Sequence, residues 1–245
     1  MEPTEWTPTV EGMAVLCPEG NCQLCQDPSC FSPILIDTTG TGFQLTSASD
    51  GVWFDFYGTG SKVQLSWTAA GASNGWLVLD RNGNGAIDSA KEMFGNVTHQ
   101  PPSSTPNGFL ALAEFDKPEN GGNSDSVIDS GDAIFSSLRV WIDANHNGVS
   151  ESNELLPLAA LAIASIELEY REAARTDQFG NQLRYRAKIY DVGRGHMGRW
   201  AYDVFLLAGN PTAGSTEFRL FNGLEPWLVA RRSCNNPLTR SRRVW

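Results

Sequence analysis

Short runs that alternate apolar and polar residues mark the first part of the chain and the region after residue 164. Gly, Ser and Asp residues separate these runs at distances typical of hairpins. Alternation with a period of two places one face of a strand on a core, so the pattern predicts short antiparallel strands. We predict strands at residues 34–37, 42–46, 52–56, 62–68, 76–79, 165–170, 182–190 and 200–207.

The strand at 182–190 alternates most clearly. Leu183, Tyr185, Ala187 and Ile189 are predicted to share one face, and the residues between them are mostly basic. Between the two strand regions the apolar residues recur at three- and four-residue intervals, which is typical of amphipathic helices. We predict short helices at residues 88–94, 108–115, 132–141 and 155–163.

The predicted fold class is therefore α+β: short antiparallel β-strands and hairpins flank short helices that carry EF-hand-like calcium loops. The 245 residues suffice for one core of ordinary size. We expect three parts: a flexible Cys-rich N-terminal segment (residues 1–32), an α+β calcium-binding domain (residues 33–208) and a weakly ordered basic C-terminal tail (residues 209–245).

The five cysteines are unevenly placed. Four of them crowd into the N-terminal segment, and the fifth lies near the C-terminus. The spacing favours a small disulfide knot in an oxidising compartment, while zinc in a reducing compartment stays open as an alternative. The pairing cannot be read from the spacing. The cysteines are Cys17, Cys22, Cys25, Cys30 and Cys234.

The net charge of −10 indicates which kinds of binding partner to expect. The last fifteen residues hold five arginines and no acid, so the negative charge belongs to the rest of the chain. An acidic body argues against nucleic acid and for cations. No apolar run is long enough to span a membrane. Few lysines and many Gly, Asn, Ser and Thr residues favour a secreted, extracellular protein, although residues 1–16 show no signal peptide.

One turn pattern, D-x-x-G-x-G, begins at Asp37, Asp55 and Asp80. The same pattern begins at Asp143, with His146 in place of the first glycine. Ca²⁺ takes six to eight oxygens, and a loop supplies them when positions 1, 3 and 5 carry oxygen side chains. Position 6 needs a residue that tolerates a positive φ, and position 7 contributes its carbonyl. A carboxylate near position 12 closes the shell.

The loop at 143 fills every slot of this pattern, from position 1 to position 12. Ser150 at position 8 is its one departure, because paired EF-hands usually have an aliphatic residue there. The predicted ligands are Asp143, Asn145, Asn147, Val149 (through its carbonyl), Glu151 and Glu154.

The loop at 80 fills the first nine positions equally well. Position 12 is Lys91, which cannot bind a cation, so we expect Glu92 to reach in from one residue beyond. The predicted ligands are Asp80, Asn82, Asn84, Ala86 (through its carbonyl), Asp88 and Glu92.

A third loop is less regular. Gly121 at position 1 has no side chain and position 6 is Ser126, so Asp116 or Asn120 is the candidate for the missing ligand. The predicted ligands are Asn123, Asp125, Val127 (through its carbonyl), Asp129 and Asp132. The turns at Asp37 and Asp55 have Thr or Tyr where ligands belong, so we interpret them as tight turns without an ion.

Several segments together resemble the EF-hand-type calcium-binding module of bacterial secreted exoproteins, which include repeats-in-toxin and adhesin-like proteins, in its stand-alone form. The resemblance covers residues 32–170 and is carried by residues 33–37, 51–55, 76–88, 92–95, 107–116 and 138–148. It implies calcium binding, secretion and no enzymatic activity. The function we expect is structural: calcium stabilises the fold. Calcium ions are the cofactor.

Two other classes of function stay open. The first is an adhesin module that binds an extracellular glycan or protein, for which Trp53, Phe54, Phe56, Tyr57 and Trp67 could form a platform, although core packing is the simpler interpretation. The second is a hydrolase, because residues 71–75 match G-x-S-x-G around Ser73. A strand, not a helix, is predicted after this motif, and His99, His146 and His196 share no metal spacing. We therefore predict no catalytic residue.

Overall fold

The computed structural model describes residues 32–192 and 196–208. The predicted Cys-rich segment up to residue 31, the predicted basic tail and all five cysteines lie outside the described residues.

The described chain is mostly β-structure, and every strand pair in it is antiparallel. One curled sheet has the order β5–β8–β10–β11–β1–β4–β6–β7, with β9 also paired to β10, and β2 and β3 form a separate hairpin. The strands are β1 (Ile34–Asp37), β2 (Val52–Phe54), β3 (Val63–Leu65), β4 (Asn74–Val78), β5 (Val127–Ile128), β6 (Arg139–Trp141), β7 (Leu155–Pro157), β8 (Ser165–Glu167), β9 (Arg171–Thr176), β10 (Gln182–Tyr190) and β11 (His196–Phe205).

Helices are short in the described residues. The α-helix α1 (Gly108–Ala113) has six residues, and 3-10 turns occur at Ala90–Glu92, Pro118–Asn120 and Leu158–Leu161. The side chain of Asn107 caps α1 by accepting hydrogen bonds from the backbone N–H groups of Phe109 and Leu110. A cap of this kind contributes about 1 kcal/mol.

The two faces of the sheet carry different cores because alternate residues of a strand point to opposite sides. On one side, which we call the helix face, Ile36, Leu77 and Val140 pack against Phe109 and Leu112 of α1. Fully burying side chains of this size stabilises the fold by roughly 1.5–3 kcal/mol each.

On the other side, which we call the tryptophan face, Leu35 and the indole rings of Trp76 and Trp141 pack against the β2–β3 hairpin and Trp67. The ring centroids of Trp67 lie 4.9 Å from those of Trp76 and 5.4 Å from those of Trp141. This face also supports the loops that begin at Asp80 and Asp143, described below.

The predicted α+β class is wrong, since the sheet dominates. Residues 132–141 form turns followed by β6, residues 155–163 form β7 and a 3-10 turn, and residues 88–94 hold only the turn Ala90–Glu92. The spacing predicted helices wrongly because the turns bury apolar residues at intervals similar to those of a helix. In β6 the neighbours Val140 and Trp141 face opposite sides of the sheet, which one stripe of a helix cannot achieve.

The face of β10 also differs from the prediction at one position. Tyr185, Ala187 and Ile189 lie on the helix face as a group, whereas Leu183 lies on the tryptophan face. The pairing of β10 shifts between Leu183 and Tyr185, where both β9 and β11 show an irregularity. An extra residue in a strand reverses the side on which the following residues point.

Candidate functional site

Four turns share one anchoring arrangement. In each, an Asp carboxylate accepts a hydrogen bond from the backbone N–H of the glycine five residues later, and that glycine has a positive φ. The bonds run from Gly42 to Asp37 (2.8 Å), from Gly60 to Asp55 (2.7 Å), from Gly85 to Asp80 (2.8 Å) and from Gly148 to Asp143 (2.9 Å). The repeated sequence pattern is therefore a repeated local structure.

The loop at 80 brings its polar side chains together. The amide of Asn84 donates to the carboxylate of Asp88 at 2.9 Å. Glu92 is 2% exposed, and its two carboxylate oxygens accept from the backbone N–H groups of Arg81 (3.2 Å) and Asp88 (2.9 Å). Glu92 thus lies inside the loop, beside both its first and its second half.

Lys91 points away from this loop. Its ammonium group donates to the carbonyl oxygen of Gly58 at 2.9 Å, in the turn that begins at Asp55. The 3-10 turn Ala90–Glu92 turns the chain so that successive side chains point in different directions. This turn is the physical reason that the carboxylate inside the loop is one residue later than in the regular pattern.

The loop at 143 has the same internal arrangement. The amide of Asn147 donates to the carboxylate of Glu151 at 2.8 Å. Glu154 is buried, and its Oε1 accepts from the backbone N–H of Ala144 at 2.9 Å. Glu154 and Glu92 therefore occupy equivalent places, because each accepts from the second residue of its own loop.

Two buried indoles bind the carboxylates of the loop at 143. The Nε1–H of Trp67 donates to Asp143 Oδ2 at 2.9 Å, and that of Trp141 donates to Glu154 Oε2 at 3.3 Å. Both rings belong to the core of the tryptophan face. The position of the loop is thereby tied to the packing of the core.

The third loop obtains its anchor from a residue outside its own twelve positions. Asp116 accepts from the backbone N–H groups of Asp125 (3.2 Å) and Ser126 (3.0 Å), and Ser126 has a φ of 67°. These are the bonds that Asp80 and Asp143 make in their loops. Gly121 is not the first position, and the Asn120 amide donates to the carbonyl of Glu114 instead.

The last carboxyl group of each loop shares an electrostatic property. Burial raises the pKa of Glu92, Asp132 and Glu154, and neighbouring carboxyl groups raise it further. For Asp132 the neighbours are Asp116 and Asp125. In the described part of the chain no salt bridge reaches any of these three groups. Asp132 Oδ1 is moreover buried without a hydrogen-bond partner among the described residues.

The donor set of the loops is mixed. Within residues 32–192 and 196–208, no three His, Cys, Asp or Glu side chains stand together as a metal centre. Any cation would have to combine carboxylates with Asn amide oxygens and backbone carbonyls, a set that suits Ca²⁺ and not the transition metals.

Asp203 is a buried acid that belongs to none of the predicted ion loops. It lies on β11, and its Oδ2 accepts from the hydroxyl of Ser32 (3.0 Å) and the backbone N–H of Gly108 (2.5 Å). Complete burial raises the pKa of Asp203 to about 8. Its only sequence signal is a single acid in the otherwise apolar run at residues 200–207.

The last two residues of the G-x-S-x-G segment, Asn74 and Gly75, belong to a strand. Ser73 is followed directly by β4, and its hydroxyl lies 3.0 Å from that of Thr39. His146 lies between two backbone carbonyls, those of Thr68 and Asp50, at 2.6 and 2.7 Å from its ring nitrogens. His146 therefore joins the loop at 143 to the segments around the β2–β3 hairpin.

The fold and these loops define a class of protein: an antiparallel β-sheet domain with Asp-anchored polar loops. Residues 34–205 match the model of the SPM domain, and the chain therefore belongs to the SPM domain family. It is similar to the iron-regulated protein FrpA of Neisseria meningitidis serogroup C, with 37% identity over 156 residues, which is 62% of this chain. The matched region is 13% of the length of that relative.

The resemblance to an EF-hand-type module is wrong. The family is the SPM domain, and the loops at 80 and 143 each follow a strand instead of a helix. An EF-hand is a helix–loop–helix unit, and no such pair of helices occurs in the described residues. Nor does any helix among those residues have the length and apolar character to cross a membrane.

Proposed function

We propose that this chain binds Ca²⁺ in the loops at 80 and 143 and in the third loop, and that the ions stabilise the domain. Of the two candidates for the missing first ligand of the third loop, Asp116 and Asn120, we assign Asp116. The proposed ligands are Asp80, Asn82, Asn84, Ala86, Asp88 and Glu92; Asp143, Asn145, Asn147, Val149, Glu151 and Glu154; and Asp116, Asn123, Asp125, Val127, Asp129 and Asp132.

One observation supports this proposal above the others. All three loops end in a buried carboxyl group whose pKa is raised, and none of the three forms a salt bridge within the described chain, although the Arg81 guanidinium interacts electrostatically with Glu92. A double positive charge in the loop would favour the ionised form of each group. Folding and cation binding would therefore support each other.

The ligand chemistry favours Ca²⁺ over Mg²⁺. Ca²⁺ accepts six to eight oxygens in irregular geometry, whereas Mg²⁺ requires a near-ideal octahedron and keeps its water. Asn84 and Asn147 lie beside the position-9 carboxylates in exposed, adaptable loops. An extracellular setting would allow weak affinities, with dissociation constants on the order of 10⁻⁴–10⁻³ M. The secreted localisation stays a prediction from the sequence.

Terbium luminescence tests the proposal. Tb³⁺ replaces Ca²⁺, and Trp67 and Trp141 are bonded to carboxylates of the loop at 143, so excitation of tryptophan should produce terbium emission there. Ca²⁺ should displace the ion and Mg²⁺ should not. The proposal would be wrong if the chain gave no terbium emission and its melting temperature changed with neither Ca²⁺ nor chelator.

Variants at positions 3 and 5 assign the signal to a loop. These side chains are exposed in the loop at 143, so their truncation spares the buried anchors. The double variant Asn145→Ala/Asn147→Ala should remove most of the emission. The matched control is Thr39→Ala/Thr41→Ala, which changes the same positions of the turn at Asp37 and should leave emission unchanged.

A binding module is the second candidate. Trp53 is 54% exposed and Tyr57 is 40% exposed, while Phe54, Phe56 and Trp67 are buried. The predicted aromatic platform thus reduces to two rings at the β2–β3 hairpin. Binding of the calcium-loaded protein to a glycan array, lost in Trp53→Ala, would support this role. An array without signal would leave the structural role of calcium as the one remaining candidate.

A further inference from the structure

A single hydroxyl joins the two best-formed loops. Ser150 Oγ accepts a hydrogen bond from the backbone N–H of Ile87 at 2.6 Å and donates to the carbonyl of the same residue at 3.2 Å. Ser150 is 8% exposed and Ile87 is 2% exposed. Both polar groups of one buried peptide residue are therefore satisfied by one side chain from the other loop.

The contact lies at equivalent positions of the two loops. Ile87 is position 8 of the loop at 80, between the carbonyl of Ala86 and the carboxylate of Asp88. Ser150 is position 8 of the loop at 143, between the carbonyl of Val149 and the carboxylate of Glu151. Each side of the contact is thus flanked by two of the oxygen donors that we assign to an ion.

The loops reach this contact from opposite ends of the sheet. Strands β4 and β6 are antiparallel neighbours in which Trp76 pairs with Trp141 and Val78 pairs with Arg139. Asp80 therefore follows one end of this pair and Asp143 the other. Among the described residues, the backbone of one loop makes no hydrogen bond to the backbone of the other.

We propose that Ser150 couples the two loops, so that a Ca²⁺ ion in one raises the affinity of the other. An ion that fixes Ala86 and Asp88 also fixes Ile87, and the two hydrogen bonds then hold Ser150 with its neighbours Val149 and Glu151. The second ion meets a loop that is already ordered, so it loses less conformational entropy on binding. This coupling rests on the proposed function, since it requires ions in both loops.

Four proteins measure the coupling: the wild-type chain, the double variant Asn82→Ala/Asn84→Ala, Ser150→Ala, and the triple variant. Calcium titration calorimetry, with terbium displacement as a second measurement, gives the affinity of the loop at 143 in each. With Ser150 present, disabling the loop at 80 should weaken that affinity about 5-fold or more, the lower end of typical coupling between sites. In the Ser150→Ala background the same change should have almost no effect.

Two further measurements keep the test independent of how well Ser150→Ala folds. Ser150→Thr retains the hydroxyl and should retain the coupling. Coupling between sites is reciprocal, so Asn145→Ala/Asn147→Ala should weaken the loop at 80 by the same factor.

The outcomes separate the two proposals. Two ions that bind with affinities independent of each other would overturn the coupling alone. An equal effect of disabling the loop at 80 with and without the Ser150 hydroxyl would also overturn it. A wild-type chain that binds no calcium would overturn the coupling and the calcium function together.

Discussion

The turns at Asp37 and Asp55 and the loops at Asp80 and Asp143 share one backbone hydrogen bond but carry different side chains. In all four, the Asp carboxylate accepts from the N–H of the glycine five residues later. The two turns have Thr or Tyr at positions 3 and 5, and the two loops have Asn at both. The loops also end in a buried Glu that accepts from the second residue of the loop.

This difference teaches that the shape of the turn and the set of oxygen donors are separable. Hydrogen bonds from backbone N–H groups to one Asp suffice to hold the turn, as at Asp37, which accepts from Gly40 and Gly42. The oxygen donors of the loops are additional. They bring buried carboxyl groups whose raised pKa shows that the fold holds their charge with difficulty.

The largest expected effect is that of Asp143→Ala. This change leaves the Trp67 indole and the N–H of Gly148, both buried, without their acceptor. Unsatisfied buried donors cost about 1–3 kcal/mol each, so we expect a loss of about 3 kcal/mol or more in urea unfolding. Asp37→Ala, whose lost partners are backbone groups of one exposed turn, should cost less. An equal loss would contradict the role of the buried indole.

Calcium should stabilise the wild-type chain by a similar amount for each loop that it occupies. An ion that binds only the folded state adds about 2.7 kcal/mol per site at a concentration 100 times its dissociation constant. The melting temperature, measured with calcium and with chelator, should therefore rise with calcium. Asn82→Ala/Asn84→Ala should reduce the rise, while Thr39→Ala/Thr41→Ala should preserve it. If the melting temperature of both double variants rose with calcium as much as that of the wild-type chain, the loop at 80 would not be a source of the stabilisation.

Asp203 extends the comparison to a buried acid on the helix face. Its pKa of about 8 in the folded protein lies above the unfolded value. The folded state therefore keeps a proton that the unfolded state has lost, and the contribution to stability falls as pH rises from about 4 to about 8. Between pH 6 and pH 8 this amounts to about 2 kcal/mol.

Asp203→Asn should remove this part of the pH dependence, because an amide keeps an oxygen for Ser32 and Gly108 but does not ionise. Urea unfolding at a series of pH values, with calcium held saturating, measures the slope. Asp50→Asn, a change at an exposed carboxylate, is the control and should keep the wild-type slope. An unchanged slope in Asp203→Asn would show that another group titrates.

The smallest expected effect is the difference in stability cost between alanine substitutions at two glycines that both have a positive φ. Gly42 and Gly148 both have a positive φ, of 95° and 68°. A Cβ at Gly42 would meet nothing within 4 Å, whereas one at Gly148 would lie 2.9 Å from a side-chain carbon of Val52. We expect Gly42→Ala to cost about 1 kcal/mol from backbone strain alone and Gly148→Ala about 2 kcal/mol. Thermal unfolding of the pair measures the difference, and equal values would show that Val52 moves away freely.

Much of the local structure could be predicted from the sequence. The Asp–Gly turns are correctly located because their hydrogen bonds connect residues at most five positions apart. The strand at 34–37 has the predicted bounds, and that at 182–190 differs only in the side chosen by Leu183. The helix at 108–115 is present in shortened form, with the Asn107 cap.

The error in fold class has a physical origin. The segment 132–141 carries apolar residues at the intervals of a helix, but the sheet needs a strand between β4 and β7. Pairing with both neighbouring strands satisfies the backbone hydrogen-bonding groups of Arg139–Trp141. Val140 and Trp141 are then each buried in a different core, one on either face of the sheet. Tertiary packing commonly overrides local preference in this way.

The sequence by itself determined where the chain turns and which oxygen-bearing side chains each turn presents, because Asp, Asn and Gly act on neighbours a few residues away. The tertiary structure decided the rest. It brought Asp116 to the third loop across a five-residue insertion, placed Trp67 against Asp143 and set Ser150 against Ile87. These contacts join residues nine to seventy-six positions apart. They exist because the sheet folds those segments together, and no local pattern encodes that order.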